Sequence, residues 1–157
     1  MKKKIIGILL IILIGIQFIR PDRNESAGIT ANDITQHYFI PPDITEILER
    51  ACYDCHSNNT HYPWYTNIQP VGWWMQDHVE DGKRSLNFNE FGTYSPQDQD
   101  HAMEEVIEVI EKQEMPLNSY LWMHGEAKLT DEENQALIDW AQQLQAEIAA
   151  VKPAVKK

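Results

Sequence analysis

The sequence predicts an all-α fold, a bundle of about four helices joined by long loops. Three observations lead there. Apolar residues recur at helical spacing in several segments, those segments carry helix start or stop signals, and no alternating apolar–polar run is long enough for a convincing strand. The 157 residues, 43% hydrophobic and 24% charged, suit one globular domain with a short extension. Two cysteines exclude a disulfide-rich scaffold. A net charge of −11 is the opposite of the basic footprint that nucleic-acid binding requires.

Residues 1–23 read as a signal peptide or signal anchor. Lys2, Lys3 and Lys4 precede an apolar run from Ile5 to Ile19 in which only Gln17 is polar, and Arg20-Pro21-Asp22-Arg23 closes it. A cationic start and an apolar run form an export signal. At about 1.5 Å per residue the run spans about 22 Å, short of a hydrocarbon core of about 30 Å. That length suits a cleaved peptide, but no Ala-x-Ala site follows. An uncleaved anchor is the preferred reading and cleavage stays open. No Cys follows either, which excludes a lipoprotein anchor. The lysines should stay in the cytoplasm, leaving the rest periplasmic or on the exported side of the inner membrane.

Residues 24–40 read as a polar linker, 41–151 as the domain and 152–157 as a frayed basic tail. Asp43 is the expected cap of the first domain helix, with Glu46 completing a capping box and Ile44, Ile47, Leu48 and Ala51 on one face. The helix runs into Cys52. Ser57 to Gln69 reads as loop. Pro70 starts a helix bearing Val71, Trp74, His78 and Val79 that ends near Gly82. Ser95-Pro96 opens the next, with Met103, Val106, Ile107 and Ile110 inward, running to about Gln113 before Pro116 stops it. Thr130 and Glu133 cap the last helix, whose inner face is Leu137, Trp140, Ala141, Leu144 and Ile148.

Cys52-Tyr53-Asp54-Cys55-His56 is Cys-x-x-Cys-His, the attachment signature of c-type haem. Each thiol adds to one vinyl group, and the histidine that follows is placed as an axial ligand of the iron. Such attachment takes place outside the cytoplasm, so the export signal agrees with it. A thioredoxin-type pair needs a βαβ context that is absent. Half a zinc site would need a second cysteine pair. A structural disulfide is poorly served by a two-residue spacing at a helix end.

For the distal iron position Met115 is the first candidate, on a loop before Pro116. Met75, Met103 and Met123 read as core, and His124 is the second choice. His61 could meet a propionate, His78 could point inward, and His37 and His101 look exposed. Tyr62, Trp64, Tyr65, Trp73, Trp74, Tyr120 and Trp122 could cover the haem faces or form an ordinary aromatic core.

The motif on an early helix, the Met-Pro loop and the capped C-terminal helix resemble the cytochrome c family. The strings Cys52–Asn58, Tyr62-Pro63-Trp64-Tyr65, Trp73-Trp74, His78-Val79, Leu86-Asn87-Phe88 and Glu114-Met115-Pro116-Leu117 resemble small bacterial haem-binding domain proteins over about residues 35–145. The resemblance implies a cytochrome c-like bundle around one haem c per chain, held by Cys52, Cys55 and His56.

One-electron transfer is the expected function, with no catalytic residue assigned. A peroxidase-like enzyme using His78 or His124 as distal acid/base, or a gas or redox sensor with a displaceable distal ligand, is the alternative. The first 23 residues hold five of thirteen basic and one of 24 acidic residues, so the remainder carries 23 acidic against 8 basic, a balance of −15. That suits a redox protein partner with a basic docking surface, and equally suits simple solubility.

Overall fold

The computed structural model describes residues 1–26 and 28–151. The basic tail 152–157 lies outside the described residues. Seven α-helices and four short 3-10 turns make up the regular structure, with no strand among the described residues, so the all-α expectation holds.

Helix α1 (Lys2–Ile16) buries none of its residues. It ends three residues before the apolar run does. The Gln17 amide turns back to the Leu13 carbonyl at 2.9 Å and reaches the Gln69 carbonyl at 3.0 Å, so the helix ends there and Phe18 and Ile19 lie beyond it. Among the described residues no helix is long and apolar enough to cross a membrane.

Several described residues between 24 and 40 are packed into the domain, where a linker was expected. Ile34 is fully buried, Asn24, Asp33 and Ile40 are buried as well, and a 3-10 turn at Ile34–Gln36 packs on another at Phe88–Thr93. The segment looks polar because its buried Asn and Asp are hydrogen-bonded rather than solvated. The Asp33 carboxylate accepts from the Thr35 amide at 2.9 Å and from the Asn89 side chain.

Helix α2 (Pro42–Ala51) starts one residue before the expected cap. Pro41 is the cap residue, Pro42 supplies a preset first-turn φ, and Asp43 sits inside the first turn, where its charge suits the helix dipole. Ile44, Ile47, Leu48 and Ala51 are buried as their spacing requires. The chain breaks at Cys52 and continues as one short turn, α3 (Tyr53–His56). Between Ser57 and Gln69 a 3-10 turn at Trp64–Asn67 interrupts the expected loop.

Helix α4 (Val71–Ser85) runs past Gly82 because that glycine is a contact point. A Cβ there would lie 2.7 Å from the Cys55 carbonyl oxygen and 3.0 Å from the Cys55 Cβ, so the missing side chain lets α4 pass against the cysteine motif.

Helix α5 (Pro96–Glu111) is capped by the Ser95 hydroxyl, which accepts from the Asp98 amide at 3.2 Å. It ends before Pro116. Gln113 takes a left-handed φ of 56° and the Glu114 amide reaches back to the Val109 carbonyl at 2.9 Å, a C-terminal turn that redirects the chain just ahead of Met115.

After α6 (Asn118–Leu121) and a 3-10 turn at Gly125–Ala127 comes α7 (Asp131–Val151). Its capping box forms as expected: the Thr130 amide donates to Glu133 at 2.9 Å and the Glu133 amide to Thr130 Oγ1 at 3.2 Å. Leu137, Trp140, Ala141, Leu144 and Ile148 are buried against α5, α2 and the Phe88–Phe91 turn, in one core. Removing each large apolar side chain from water contributes about 1.5–3 kcal/mol.

Candidate functional site

The cysteine motif sits where α2 ends and α3 meets α4. Cys52 and Cys55 are free thiols and partly buried. Burial, then the neighbouring Cys55, pushes the Cys52 thiol up to about 12; burial, then Asp54, pushes Cys55 up to about 11. Both therefore keep their proton at neutral pH. Thioredoxin-type exchange and zinc ligation use thiolates. Nor do the described residues bring three His, Cys, Asp or Glu side chains together to hold a bare metal ion.

His56 lies in the same place with its ring fixed. Its Nδ1–H donates to the Leu86 carbonyl at 3.0 Å, and the Gly82 backbone also bonds the ring; with Nδ1 as the donor, Nε2 carries the lone pair. Burial pushes its pKa below the ordinary histidine value, so the ring is held neutral, as a ligand must be. The Leu86 carbonyl is itself anchored. Asn87 donates through its side chain to Asn58 Oδ1 at 2.8 Å and through its backbone to the Tyr94 hydroxyl at 2.9 Å.

The residues after the motif are stitched down by asparagines. Asn58 bonds Asn89 and Glu90, and the Asn24 side chain donates to the Ser57 carbonyl at 2.8 Å and to Thr60 Oγ1 at 2.9 Å.

Two adjoining cavities, about 270 and 360 Å³, open beside the motif and share Ala51, Cys52, His56, Ser85, Met115 and Pro116. The first also meets Cys55, His78 and Tyr120; the second is walled by apolar side chains such as Leu48, Phe88, Val106, Ile110 and Leu137. The larger falls in the range of cofactor pockets, about 300–1,000 Å³, and the smaller lies just below it. Cys52, Cys55, His56 and Met115 are thus brought together around one crevice. Acidic side chains stand along it: Asp54, Asp81, Glu105, Glu108 and Glu114.

His124 is elsewhere. Its ring stacks on Tyr120 at 4.3 Å, its Nε2 pairs with the Tyr65 hydroxyl at 2.8 Å, and Glu126 lies 3.4 Å from its Nδ1. It lines a third cavity of about 250 Å³ with Trp64, Trp74 and Trp122, so the expected second-choice ligand faces away from the cysteines. Tyr120 links the two regions, donating to Asp54 Oδ2 at 2.8 Å.

Of the aromatics expected to cover a haem, only Tyr120 lines the crevice; Trp64 and Trp122 are exposed because they sit on the outer face of that third cavity. Met103 is core as expected, whereas Met123 is exposed and corrects its core reading. His61 is exposed on its loop, and the exposed His37 bonds the Ala31 carbonyl at 3.0 Å.

Sequence reasoning missed Gly82, Leu86, Asn87 and Asn24 as supports of the motif. Only the neighbouring Asn residues hinted at them; a backbone carbonyl leaves no trace in a residue pattern.

A histidine beside two thiols at the mouth of a largely apolar crevice suits a haem site. The chain matches a family model described as a haem-binding domain over residues 11–143. No curated protein and no solved structure matches it. The chain belongs to the haem-binding domain family.

Proposed function

We propose that the chain carries one haem c bonded through Cys52 and Cys55, with His56 as proximal and Met115 as distal iron ligand, and that it transfers single electrons on the exported side of the inner membrane. The observation that carries the reading is the His56 Nδ1–H bond to the Leu86 carbonyl, in a crevice shared with both thiols and Met115. It supports a free Nε2 in the place where the cysteine spacing puts an axial ligand.

Attachment balances without an oxidant. Each S–H adds across a vinyl C=C; sulfur bonds one carbon and the thiol hydrogen goes to the other. When bound, haem supplies an iron that cycles between ferrous and ferric states with little rearrangement.

The residues of the chain do the rest. Leu86 orients His56, Met115 offers a soft sulfur from a loop redirected by Gln113, and Phe88, Val106 and Leu137 keep water from one wall. The carboxylates along the crevice suit orientation of a basic redox partner. Lys2 to Lys4 and the apolar run favour the exported location.

A second reading rests on His78. It lines the crevice, and its Nδ1 donates to the Trp74 carbonyl at 2.8 Å, so its Nε2 is also free. His78 in place of Met115 would give a two-histidine site, or a distal acid/base of peroxidase type.

Visible spectra of the full-length protein, oxidised and reduced, separate these readings. Electron transfer with Met115 expects a low-spin spectrum carrying the long-wavelength band of thioether-ligated ferric haem. A high-spin spectrum that shifts with peroxide or CO refutes it in favour of enzyme or sensor, and a low-spin spectrum without the sulfur band favours His78.

A further inference from the structure

An acidic domain with an apolar core should present a polar exterior, yet one face does not. Trp64 and Trp122 are 72% and 80% exposed, and Trp74, Ile68, Val71 and Met123 are exposed beside them. Single exposed apolar residues are ordinary; a contiguous set is not. Trp64, Val71, Trp74, Trp122 and Met123 line one shallow cavity, and no Asp, Glu, Lys or Arg is among its lining residues, in a chain holding 24 acidic ones.

The same face is where α1 is tied to the domain. Gln17, the one polar residue of the apolar run, exchanges two hydrogen bonds with the Gln69 backbone, at 3.0 and 2.9 Å, between Ile68 and Pro70. One turn on, the Trp73 indole N–H donates to the Ile19 carbonyl at 2.8 Å. Helix α1 is thereby tied to the start of α4, the helix that carries Val71 and Trp74 of the face, and Phe18 and Ile19 at the junction are exposed.

We infer that this aromatic face rests in the phospholipid interface of the membrane that α1 enters, so that the haem domain is docked rather than tethered. The inference rests on the membrane reading of α1. Indole rings are amphipathic and settle at the headgroup level. The fifteen residues of α1 reach about 22 Å, short of the bilayer core. A helix too short for its bilayer is accommodated by local thinning and by anchors at its flank, and Trp73, bonded to the Ile19 carbonyl just past α1, stands at that flank beside Trp74 in sequence. No carboxylate lines the face, and those at its edge are engaged, Glu126 with the His124 ring and Asp54 with the Tyr120 hydroxyl, so like-charge repulsion of lipid phosphates is weaker there than along the acidic crevice.

The test uses full-length holoprotein in its native membranes. The photo-crosslinking residue p-benzoylphenylalanine replaces Trp64, Trp74 or Trp122 singly, and replaces Phe39, which is as exposed but not part of this face, as control. Irradiation followed by peptide mass spectrometry should find phospholipid adducts at 64, 74 and 122 and none at 39.

Absence of lipid adducts at the three positions, or adducts to protein in their place (a second copy or another chain), overturns the docking. Flotation of the unaltered protein with phospholipid vesicles separates the two failures. A protein that does not float overturns the membrane reading together with this inference; one that floats without adducts overturns the docking alone. A second measurement needs no substitution at the face: with 5-fluorotryptophan incorporated and a gadolinium-chelate lipid in the vesicles, the Trp64, Trp74 and Trp122 resonances should broaden while that of buried Trp140 does not. Equal sharpness of all five overturns the docking as well.

Discussion

Gly82→Ala tests whether α4 is pressed onto the cysteine motif. The new Cβ would lie 2.7 Å from the Cys55 carbonyl oxygen and 3.1 Å from its carbon, both backbone atoms that cannot rotate aside. Overpacking of a tight contact costs about 1–3 kcal/mol, and a backbone clash belongs in the upper part of that range. Alanine regains about 1 kcal/mol of helix propensity over glycine. The net loss is about 1–2 kcal/mol, and at about 2–4 °C per kcal/mol for a chain of this size the Tm falls by about 2–8 °C. Gly125→Ala is the control: nothing lies within 4 Å of where its Cβ would stand, so its stability should stay within about 0.5 kcal/mol. Thermal unfolding of the two holoprotein variants beside the wild type makes the comparison. A Gly82→Ala protein as stable as wild type, or more so, would refute the contact and with it the reason α4 runs past the glycine.

Cys52→Ala with Cys55→Ala should leave haem extractable by acid acetone, whereas wild type retains it; retention by the double variant contradicts the assignment. Met115→Ala should keep haem attached but remove the sulfur band and give high-spin character or a lowered potential, while His124→Ala should leave the visible spectrum unchanged, since that ring faces the third cavity. Asn87→Ala removes the bonds to Asn58 and to the Asn89 amide and should cost about 1–2 kcal/mol in urea unfolding; it should also broaden the low-spin spectrum by loosening Leu86 against His56. Arg50→Ala frees the Glu126 carbonyl and Glu133, joined across α2 and α7, and should cost about 1 kcal/mol because the pair is a quarter exposed.

Much of the fold is legible in the sequence because it is local. Helical spacing puts Ile44, Ile47, Leu48, Leu137, Trp140 and Leu144 in the core, and a reciprocal Thr130–Glu133 box marks the start of α7. The cysteine motif is a fixed five-residue string, and its position on the crevice follows from its own short turn. What is not legible is long-range or polar. Residues 24–40 read as linker because Asn24 and Asp33 look solvated, yet both are buried with partners more than thirty residues away. His124 and Met115 are near in sequence, but α6 turns between them and sends one to each side of Tyr120. The tryptophans read as cover for the haem because composition cannot tell an aromatic core from an aromatic exterior. Pro116 reads as the stop of α5, while a left-handed residue that is not glycine, Gln113, ends it earlier.

Covalent attachment is tested most directly by mass spectrometry of tryptic peptides from protein made in a host that matures c-type haem. Cleavage after Arg50 and Lys83 isolates residues 51–83, with both cysteines and His56, whether or not the N-terminal segment has been removed. That peptide should carry the mass of one haem and no reactive thiol. A peptide at its bare mass with two alkylatable cysteines would contradict the central claim.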